Sequence, residues 1–231
     1  MGRKPHLIAD GLVYHAINRG NNRDAVFCAP SDYLAFLHAL RQTKVCYPFR
    51  LFAYCLMTNH FHLVLQPDNG QSISRILQSL TVAHTWRFHT EHHTVGHVWQ
   101  GRFRSPVIQQ DEHLLTVLRY VEANPLRARM VSDLACYPWS SYIVHGLGRR
   151  DPLIDETAVW PPLAASEAAR QALWRTWLHT PLTERELSAV RRSVTTGRPF
   201  GESAWVQATA SLLGVDLSER RRGRPAKRVE K

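Results

Sequence analysis

Two histidines separated by one residue lie in the apolar segment 59–65, whose sequence is NHFHLVL. Side chains of a β-strand alternate between its two faces, so His60 and His62 share one face while Phe61 and Leu63 point into a core on the other. Two imidazoles about 6–7 Å apart along one strand face can bind a single metal ion. The same spacing is typical of histidines that pack at a surface, so a metal site also needs a third ligand and a nucleophile.

Segment 111–124 supplies both a candidate ligand and a candidate nucleophile. Its apolar residues recur at helical spacing and form one arc: Leu114, Leu115, Val117, Leu118 and Val121. Tyr120 and Asn124 lie one turn and about 40° apart beside this arc, so a helix packed on the sheet would hold both near the histidines. We expect Asn124 to add an oxygen ligand and Tyr120 to present its phenol, with His113 as a candidate neighbour. The alternative for a lone tyrosine is packing at the edge of the core.

Polar, basic and aromatic side chains near these segments could hold a polyanion. Arginines contact phosphates or guanine edges, and aromatic rings stack on unpaired bases. The candidate nucleic-acid-binding residues are Asn18, Arg19, Asn21, Arg23, Trp99, Gln100, Arg102, Arg104 and Arg127. For Trp99 a place in the core is an equal alternative, and for Arg127 exposure to solvent.

The carboxy-terminal segment 219–231 contains seven basic residues and two acidic ones. Arg222 and Arg224 flank a glycine and precede a proline, and an extended arginine segment can lie in a narrow A·T-rich minor groove. We therefore add both arginines to the candidate nucleic-acid-binding set. A solvated, disordered tail is the alternative.

The composition is that of a basic globular protein. Of 231 residues 44% are hydrophobic, and 29 Lys and Arg against 19 Asp and Glu give a formal charge of +10. This surplus favours polyanionic partners, nucleic acid first. The four scattered cysteines predict neither a zinc site nor a disulfide framework. With no signal peptide and no membrane-spanning run, we expect a soluble, intracellular protein with no membrane partner and no small-molecule substrate.

The elements that must position the candidate residues follow the order β-α-β-β-α-β and then a helix. Strands are predicted at 13–18, 49–57, 60–66 and 107–110, and helices are expected to begin after Ser31, near Ser72 and after Asp111. The order predicts an α+β fold: a ferredoxin-like split βαβ antiparallel sheet with helices on one face. A helical carboxy-terminal extension is predicted from short helices at 164–178, 183–192 and 203–213.

The expected organisation has three parts. Residues 1–147 form the domain that carries the candidate site, residues 148–218 form the helical extension, and residues 219–231 form the basic tail. The tryptophans of the extension, Trp174 and Trp177, favour packing on the first domain rather than an independent unit.

Taken together, the motifs resemble those of single-tyrosine HUH transposases of the IS200/IS605 type, where U is a hydrophobic residue. His60-Phe61-His62 is similar to the HUH motif, and Tyr120 with Asn124 is similar to the Y-x-x-x-N helix. A narrower resemblance, to the REP-associated tyrosine transposases, rests on segments 14–23, 99–103 and 120–125. The resemblance covers roughly residues 8–147.

The resemblance implies an activity and its cofactor. A metal ion, Mg²⁺ or Mn²⁺, would be bound by His60, His62 and Asn124 and would polarise the scissile phosphate. Tyr120 would attack it, leaving a 5′-phosphotyrosine link and a free 3′-OH that allow strand transfer. The implied partner is single-stranded or hairpin DNA of the repetitive extragenic palindrome type. The implied protein is a monomer or homodimer located in the cytoplasm with the nucleoid.

Two other functions stay open at this point. One is a non-catalytic, sequence-specific DNA hairpin-binding protein on the same fold. The other is a metal phosphodiesterase that uses water and leaves Tyr120 structural. The joint presence of His60, His62 and Tyr120 favours the transposase.

Overall fold

A four-stranded antiparallel sheet lies at the centre of the computed structural model, which describes residues 10–218. Its strands, in the spatial order β2-β3-β1-β4, are β1 (Val13–Arg19), β2 (Phe49–Met57), β3 (His60–Pro67) and β4 (Val107–Ile108). Strand β3 pairs antiparallel with both β1 and β2, so β1 and β2 run parallel to each other on either side of it. This is the split βαβ arrangement, and the predicted fold class is confirmed.

Two helices cover one face of the sheet: α1 (Pro30–Cys46), which connects β1 to β2, and α2 (Ile73–His92), which connects β3 to β4. They bury Phe36, Leu40, Ile76 and Leu77 against that face. Helix α1 begins after Ala29, so the expected start after Ser31 is wrong. The start is fixed instead by the buried carboxylate of Asp32, which accepts the backbone N–H groups of Cys28 and Ala29.

Helices cover the second face of the sheet as well, an addition to the predicted single layer. They are α3 (Glu112–Glu122), α4 (Asn124–Arg127), α5 (Tyr142–His145), α6 (Glu167–His179) and α7 (Glu184–Thr196). The last helix, α8 (Ser203–Leu212), instead packs Trp205 against the core of the first face. Phe52 and Val64 of the sheet pack there with Leu118, Trp174 and Val190. A reason is visible in β2, whose nearly continuous apolar run has to be buried on both faces.

A buried carboxylate joins α3 to the extension. Glu122 is fully buried, and its side chain accepts hydrogen bonds from the Ser141 hydroxyl, the His145 ring and the Trp174 indole, the last at 2.8 Å. The expectation that the extension packs on the first domain is thus confirmed by these contacts. The division at residue 147 stays a prediction.

No helix within residues 10–218 is long and apolar enough to cross a membrane.

Candidate active site

The alternation of β3 places His60 and His62 on the face that α3 covers. Their neighbours in the register, Met57 and Cys55 of β2, belong to the apolar cluster of that face. The two imidazole rings lie 5.0 Å apart, edge to face, and His62 is only 4% exposed. Phe61, between them, lies on the opposite face with α1 and α2.

A third histidine, His15 of β1, lies against His62 and was missed by the sequence reasoning as a site residue. It is 1% exposed, its Nε2 is 3.0 Å from Nδ1 of His62, and the two rings stack at 5.1 Å. In the register His15 is opposite Val64, on the same face as His62. The signal available in the sequence was a lone histidine at an inward position of the apolar strand β1.

Helix α3 brings Tyr120 to these histidines. The Tyr120 ring is 5.8 Å from the His62 ring and 5.9 Å from the His15 ring, edge-on to both. The amphipathic spacing of 111–124 explains this position, because the apolar arc packs on the sheet and leaves Tyr120, half-buried, at its margin.

Asn124 is held at the end of the same helix by its own side chain. Helix α3 ends at Glu122, and the chain starts the short α4 at Asn124, with Pro125 in its first turn. The side-chain N–H groups of Asn124 donate to the carbonyls of Tyr120 and Val121, both at 3.1 Å. Its Oδ1 is therefore the atom that is turned outward from the helix.

Arg127 lies on Tyr120 and Asn124 rather than in solvent, so the solvent alternative is wrong. Its guanidinium is 4.2 Å from the centre of the Tyr120 ring and donates to the Tyr120 carbonyl at 2.6 Å. It also donates to Oδ1 of Asn124 at 2.7 Å. One cation thus orients the ring of the candidate nucleophile and the candidate oxygen ligand together.

Burial keeps the three histidines neutral. It lowers the pKa of His15 to about 3, an effect that the nearby Arg127 guanidinium reinforces. Burial and Arg19 lower the pKa of His60 to about 4, and burial, reinforced by the neighbouring His60, His15 and Arg127, puts the pKa of His62 well below its ordinary value. A neutral imidazole retains the lone pair that a metal ion requires.

The donor set fits a divalent metal ion. Nδ1 of His60 lies 2.7 Å from the side-chain oxygen of Asn59, which can only accept, so Nδ1 carries the proton and Nε2 keeps a lone pair. Two imidazole nitrogens and an amide oxygen suit Mn²⁺ well and Mg²⁺ less obviously. Asn124 would use the lone pair of Oδ1 that the Arg127 guanidinium leaves free.

Two other groups of metal-capable side chains exist within residues 10–218, and neither includes the expected ligands. They are Cys28 with Asp32 and His92, and Asp111 with Glu112 and His113. The candidate neighbour His113 has other partners, because its ring binds the Asp111 carboxylate at 2.8 Å and contacts Phe200. Asp111 caps α3 and so holds this ring at the start of the helix.

Residues 9–124 match the model of the family described as Transposase IS200 like. The chain belongs to the IS200-like transposase family. A curated Haemophilus influenzae protein, provisionally named a REP-associated tyrosine transposase, is 28% identical in an alignment of 123 residues that covers 48% of this chain and 70% of that protein. A solved structure of a REP-associated tyrosine transposase bound to a REP hairpin is similar with a TM-score of 0.53 and 19% identity, over 69% of this chain and 96% of the other. The expected resemblance is confirmed.

Two segments that this IS200-like chain was expected to use for nucleic acid lie side by side. The Asn21 N–H donates to the Val98 carbonyl, and the exposed Arg19 guanidinium donates to the side-chain oxygen of Gln100 at 2.7 Å. Arg102 is exposed and lines a cavity of about 420 Å³ together with Asn21. These two segments form one surface, the 19–23/100–102 surface, which carries the exposed Arg19, Arg23, Gln100 and Arg102 and the partly exposed Asn21.

Three members of the candidate set have structural contacts instead. Trp99 is 9% exposed, packs on Phe61 and donates its indole N–H to the Thr81 carbonyl, so its core alternative holds. Asn18 is 6% exposed and its side chain accepts the N–H of Arg19. Arg104 donates to the last carbonyls of α7, which joins it to the extension. Arg222 and Arg224 lie outside the described residues.

Proposed function

We propose that this IS200-like transposase cleaves and transfers strands of single-stranded or hairpin DNA through a 5′-phosphotyrosine at Tyr120. The observation that carries the proposal is the meeting of Tyr120 with the neutral imidazoles of His62 and His15, within 6 Å between ring centres. A phenol and metal-capable imidazoles converge there from two different elements, which the packing of a lone core tyrosine does not require.

The first chemical step forms one bond and breaks another. The Tyr120 oxygen, having lost its proton, bonds to the phosphorus, and the 3′-oxygen of the scissile bond leaves and takes up a proton. A divalent ion held by His60, His62 and Asn124 would supply Lewis-acid neutralisation of the phosphate charge. The tyrosine ester conserves the bond energy, so a second 3′-OH can replace Tyr120 and rejoin the strand without ATP.

Arg127 would assist as a fixed cation. Its guanidinium lies against the face of the Tyr120 ring and donates to Oδ1 of Asn124. A positive charge that is already in place favours the negative charge that develops on the phenolic and phosphate oxygens and needs no reorganisation. The role expected for Arg127, contact with the phosphate backbone, is kept within this proposal.

The proposed substrate is a hairpin of the repetitive extragenic palindrome type with a single-stranded flank, in the cytoplasm where the nucleoid lies. The 19–23/100–102 surface offers two arginines, Arg23 and Arg102, beside the Arg19–Gln100 pair. Such groups contact phosphates and base edges. Support comes from the similar solved structure, which is bound to a REP hairpin.

A second function, hairpin binding without cleavage, is favoured by one observation. The Arg127 guanidinium already occupies part of Oδ1 of Asn124, the atom expected to bind the metal. If this hydrogen bond persists when DNA binds and prevents Asn124 from binding a metal ion, the protein would hold DNA on the same surface without cleaving the phosphodiester.

One experiment separates the candidates. A labelled hairpin oligonucleotide with a single-stranded flank is incubated with the protein and Mn²⁺, and the products are run on a denaturing gel. We expect a protein–DNA adduct that Tyr120→Phe abolishes and that Tyr14→Phe, in β1 on the opposite face, retains. Binding without an adduct or cleavage would favour the hairpin-binding protein. Cleavage without an adduct would favour a phosphodiesterase that uses water.

A further inference from the structure

His15 and His62 form the only contact between two histidine nitrogens at hydrogen-bond distance that the structure contains within residues 10–218. Nε2 of His15 and Nδ1 of His62 are 3.0 Å apart. At that distance one nitrogen must carry the proton and the other must offer a lone pair. Two tautomer pairs are therefore available, and they differ in which nitrogen of His62 is left for a ligand.

The two pairs have opposite consequences for metal binding. If His15 donates, Nδ1 of His62 is the acceptor, Nε2 of His62 carries the proton, and His62 cannot bind a metal ion through Nε2. If His62 donates, its Nε2 keeps the lone pair. The nitrogen that a histidine offers to a metal is set by the hydrogen bond of the other nitrogen.

We propose that His15 is a positioning residue that accepts the Nδ1–H of His62 and so fixes the tautomer in which Nε2 of His62 is the metal ligand. This inference rests on the proposed function for the role of the metal. His15 would itself carry its proton on Nδ1. Its part in the reaction is to act through His62, without contact to DNA.

The neighbouring ligand has the same arrangement. The side-chain oxygen of Asn59 can only accept, so Nδ1 of His60 donates to it and Nε2 of His60 is left free. With His15 as the acceptor for His62, both expected ligands offer Nε2 to the metal ion. In each ligand the Nδ1–H group donates to a neighbouring acceptor. One acceptor comes from the β2–β3 turn and the other from the neighbouring strand β1.

Burial makes this acceptor hard to replace. His15 and His62 are 1% and 4% exposed, so water has little access to the Nδ1 atom of His62. The rings stack across the β1–β3 pair, and the edge of the Tyr120 ring lies against both. Loss of the acceptor would leave a buried N–H unpaired or would shift the proton to Nε2, which is the nitrogen protonated in most free neutral imidazoles.

The test uses two variants of His15 and a spectroscopic measurement on the metal-free protein. His15→Gln keeps a side-chain oxygen that can accept, and His15→Phe keeps a ring without an acceptor. The ¹⁵N chemical shifts of the His62 ring report its tautomer, with the signals assigned through His62→Asn. We expect wild type and His15→Gln to show the proton of His62 on Nδ1, and His15→Phe to show it mainly on Nε2.

The second measurement is the affinity for Mn²⁺ alone. Binding is monitored by the decrease in the electron-paramagnetic-resonance signal of unbound Mn²⁺. We expect His15→Phe to raise the dissociation constant about 10–100-fold, as loss of a ligand's hydrogen-bond partner does, and His15→Gln to recover most of the affinity. His84→Phe is the matched control, because His84 is a buried histidine on the other face that binds the Val26 carbonyl. It should leave Mn²⁺ affinity unchanged.

Two results would overturn the inference: a wild-type His62 protonated on Nε2, or equal Mn²⁺ affinity in wild type and His15→Phe. If His15→Phe fails to fold, the tautomer of wild type and the affinity of His15→Gln decide. The adduct assay reports separately on the proposed function. If the tautomer and the Mn²⁺ affinities are as expected but no adduct forms, the positioning role of His15 stands and the proposed strand transfer through Tyr120 is wrong.

Discussion

Strand β3 presents two different environments on its two faces. Phe61, Leu63 and Leu65 are fully buried beneath α1 and α2, in a core of aliphatic and aromatic side chains. On the other face His60 and His62 lie beneath α3, beside the half-buried Tyr120. The strand supplies the alternation, and the covering helix decides the chemistry. A helix that packs only through the middle of its apolar arc buries apolar side chains alone. Helix α3 also places Tyr120, at the margin of its apolar arc, against the sheet.

Each face also buries a histidine that is not part of the HUH motif, His84 on one face and His15 on the other, and the two differ in their partners. His84 of α2 binds the Val26 carbonyl at 2.9 Å among the rings of Phe27 and Phe36. His15 of β1 binds another imidazole and meets the edge of Tyr120. A backbone partner makes a histidine part of the packing, and an imidazole partner ties its protonation to that of a candidate ligand.

The largest expected effect on stability is on the face that α1 and α2 cover. Phe61→Ala removes a fully buried ring between α1 and the sheet, and we expect it to lower the free energy of unfolding by about 3–5 kcal/mol. Urea denaturation followed by circular dichroism measures the change. His62→Ala, one residue along, is the matched comparison and should cost less. Equal costs would mean that the histidine face is packed as a core like the other.

The expected effect on the site face is on metal binding. His62→Ala removes a candidate ligand, and we expect Mn²⁺ affinity to fall at least about 100-fold, beyond the range for loss of a supporting contact. Isothermal titration with Mn²⁺ gives the affinity, with His84→Ala as the control from the opposite face. An unchanged affinity would show that His62 is not a metal ligand and that the histidines of this face serve only in packing.

The position of α3 over the site face depends on the buried Glu122 carboxylate, which joins this helix to Trp174 of the extension. Glu122→Gln replaces the carboxylate that accepts from the His145 ring and the Trp174 indole, and we expect a loss of about 1–3 kcal/mol in the free energy of unfolding. Tryptophan fluorescence during urea denaturation reports the change. Glu112→Gln, exposed in the first turn of the same helix, should cost only a few tenths of a kcal/mol. Similar costs would argue against the buried network as an anchor.

The smallest expected effect is the pH dependence contributed by single buried histidines. Burial lowers the pKa of His15 to about 3 and of His84 to about 4, so between these values and about 6.5 the unfolded chain binds protons that the native protein does not. Stability therefore falls as the pH falls. From pH 7 to 6 each group should contribute about 0.7 kcal/mol of that loss.

Thermal unfolding at both pH values checks this expectation. His15→Phe and His84→Phe should each show a smaller decrease in melting temperature between pH 7 and pH 6 than wild type. A wild-type melting temperature that does not change, or that rises, over this interval would contradict neutral buried histidines on either face.

Much of this arrangement was predictable because it rests on local periodicity. The alternation of 59–65 put His60 and His62 on one face, and the helical spacing of 111–124 put Tyr120 and Asn124 at the margin of an apolar arc. Both features depend only on the geometry of one element. The fold class followed from the order of the elements.

The rest depends on contacts between distant segments, which periodicity does not report. His15 joins His62 only through the register of β1 against β3. Arg127 contacts Tyr120 across the break at Ala123 between α3 and α4, which the helical spacing of 111–124 did not predict. Trp99 was ambiguous in sequence because an aromatic residue beside arginines serves equally as a core residue or a stacking platform, and burial against Phe61 decided it.

Mapping the covalent attachment site tests the central proposal most directly. The adduct formed with hairpin DNA and Mn²⁺ is digested with nuclease and trypsin and analysed by tandem mass spectrometry. Cleavage after Arg119 and Arg127 gives the peptide 120–127, YVEANPLR, with Tyr120 as its single tyrosine. The account predicts a nucleotide phosphate on Tyr120 of that peptide. Attachment to another residue, or cleaved DNA with an unmodified peptide 120–127, would contradict it.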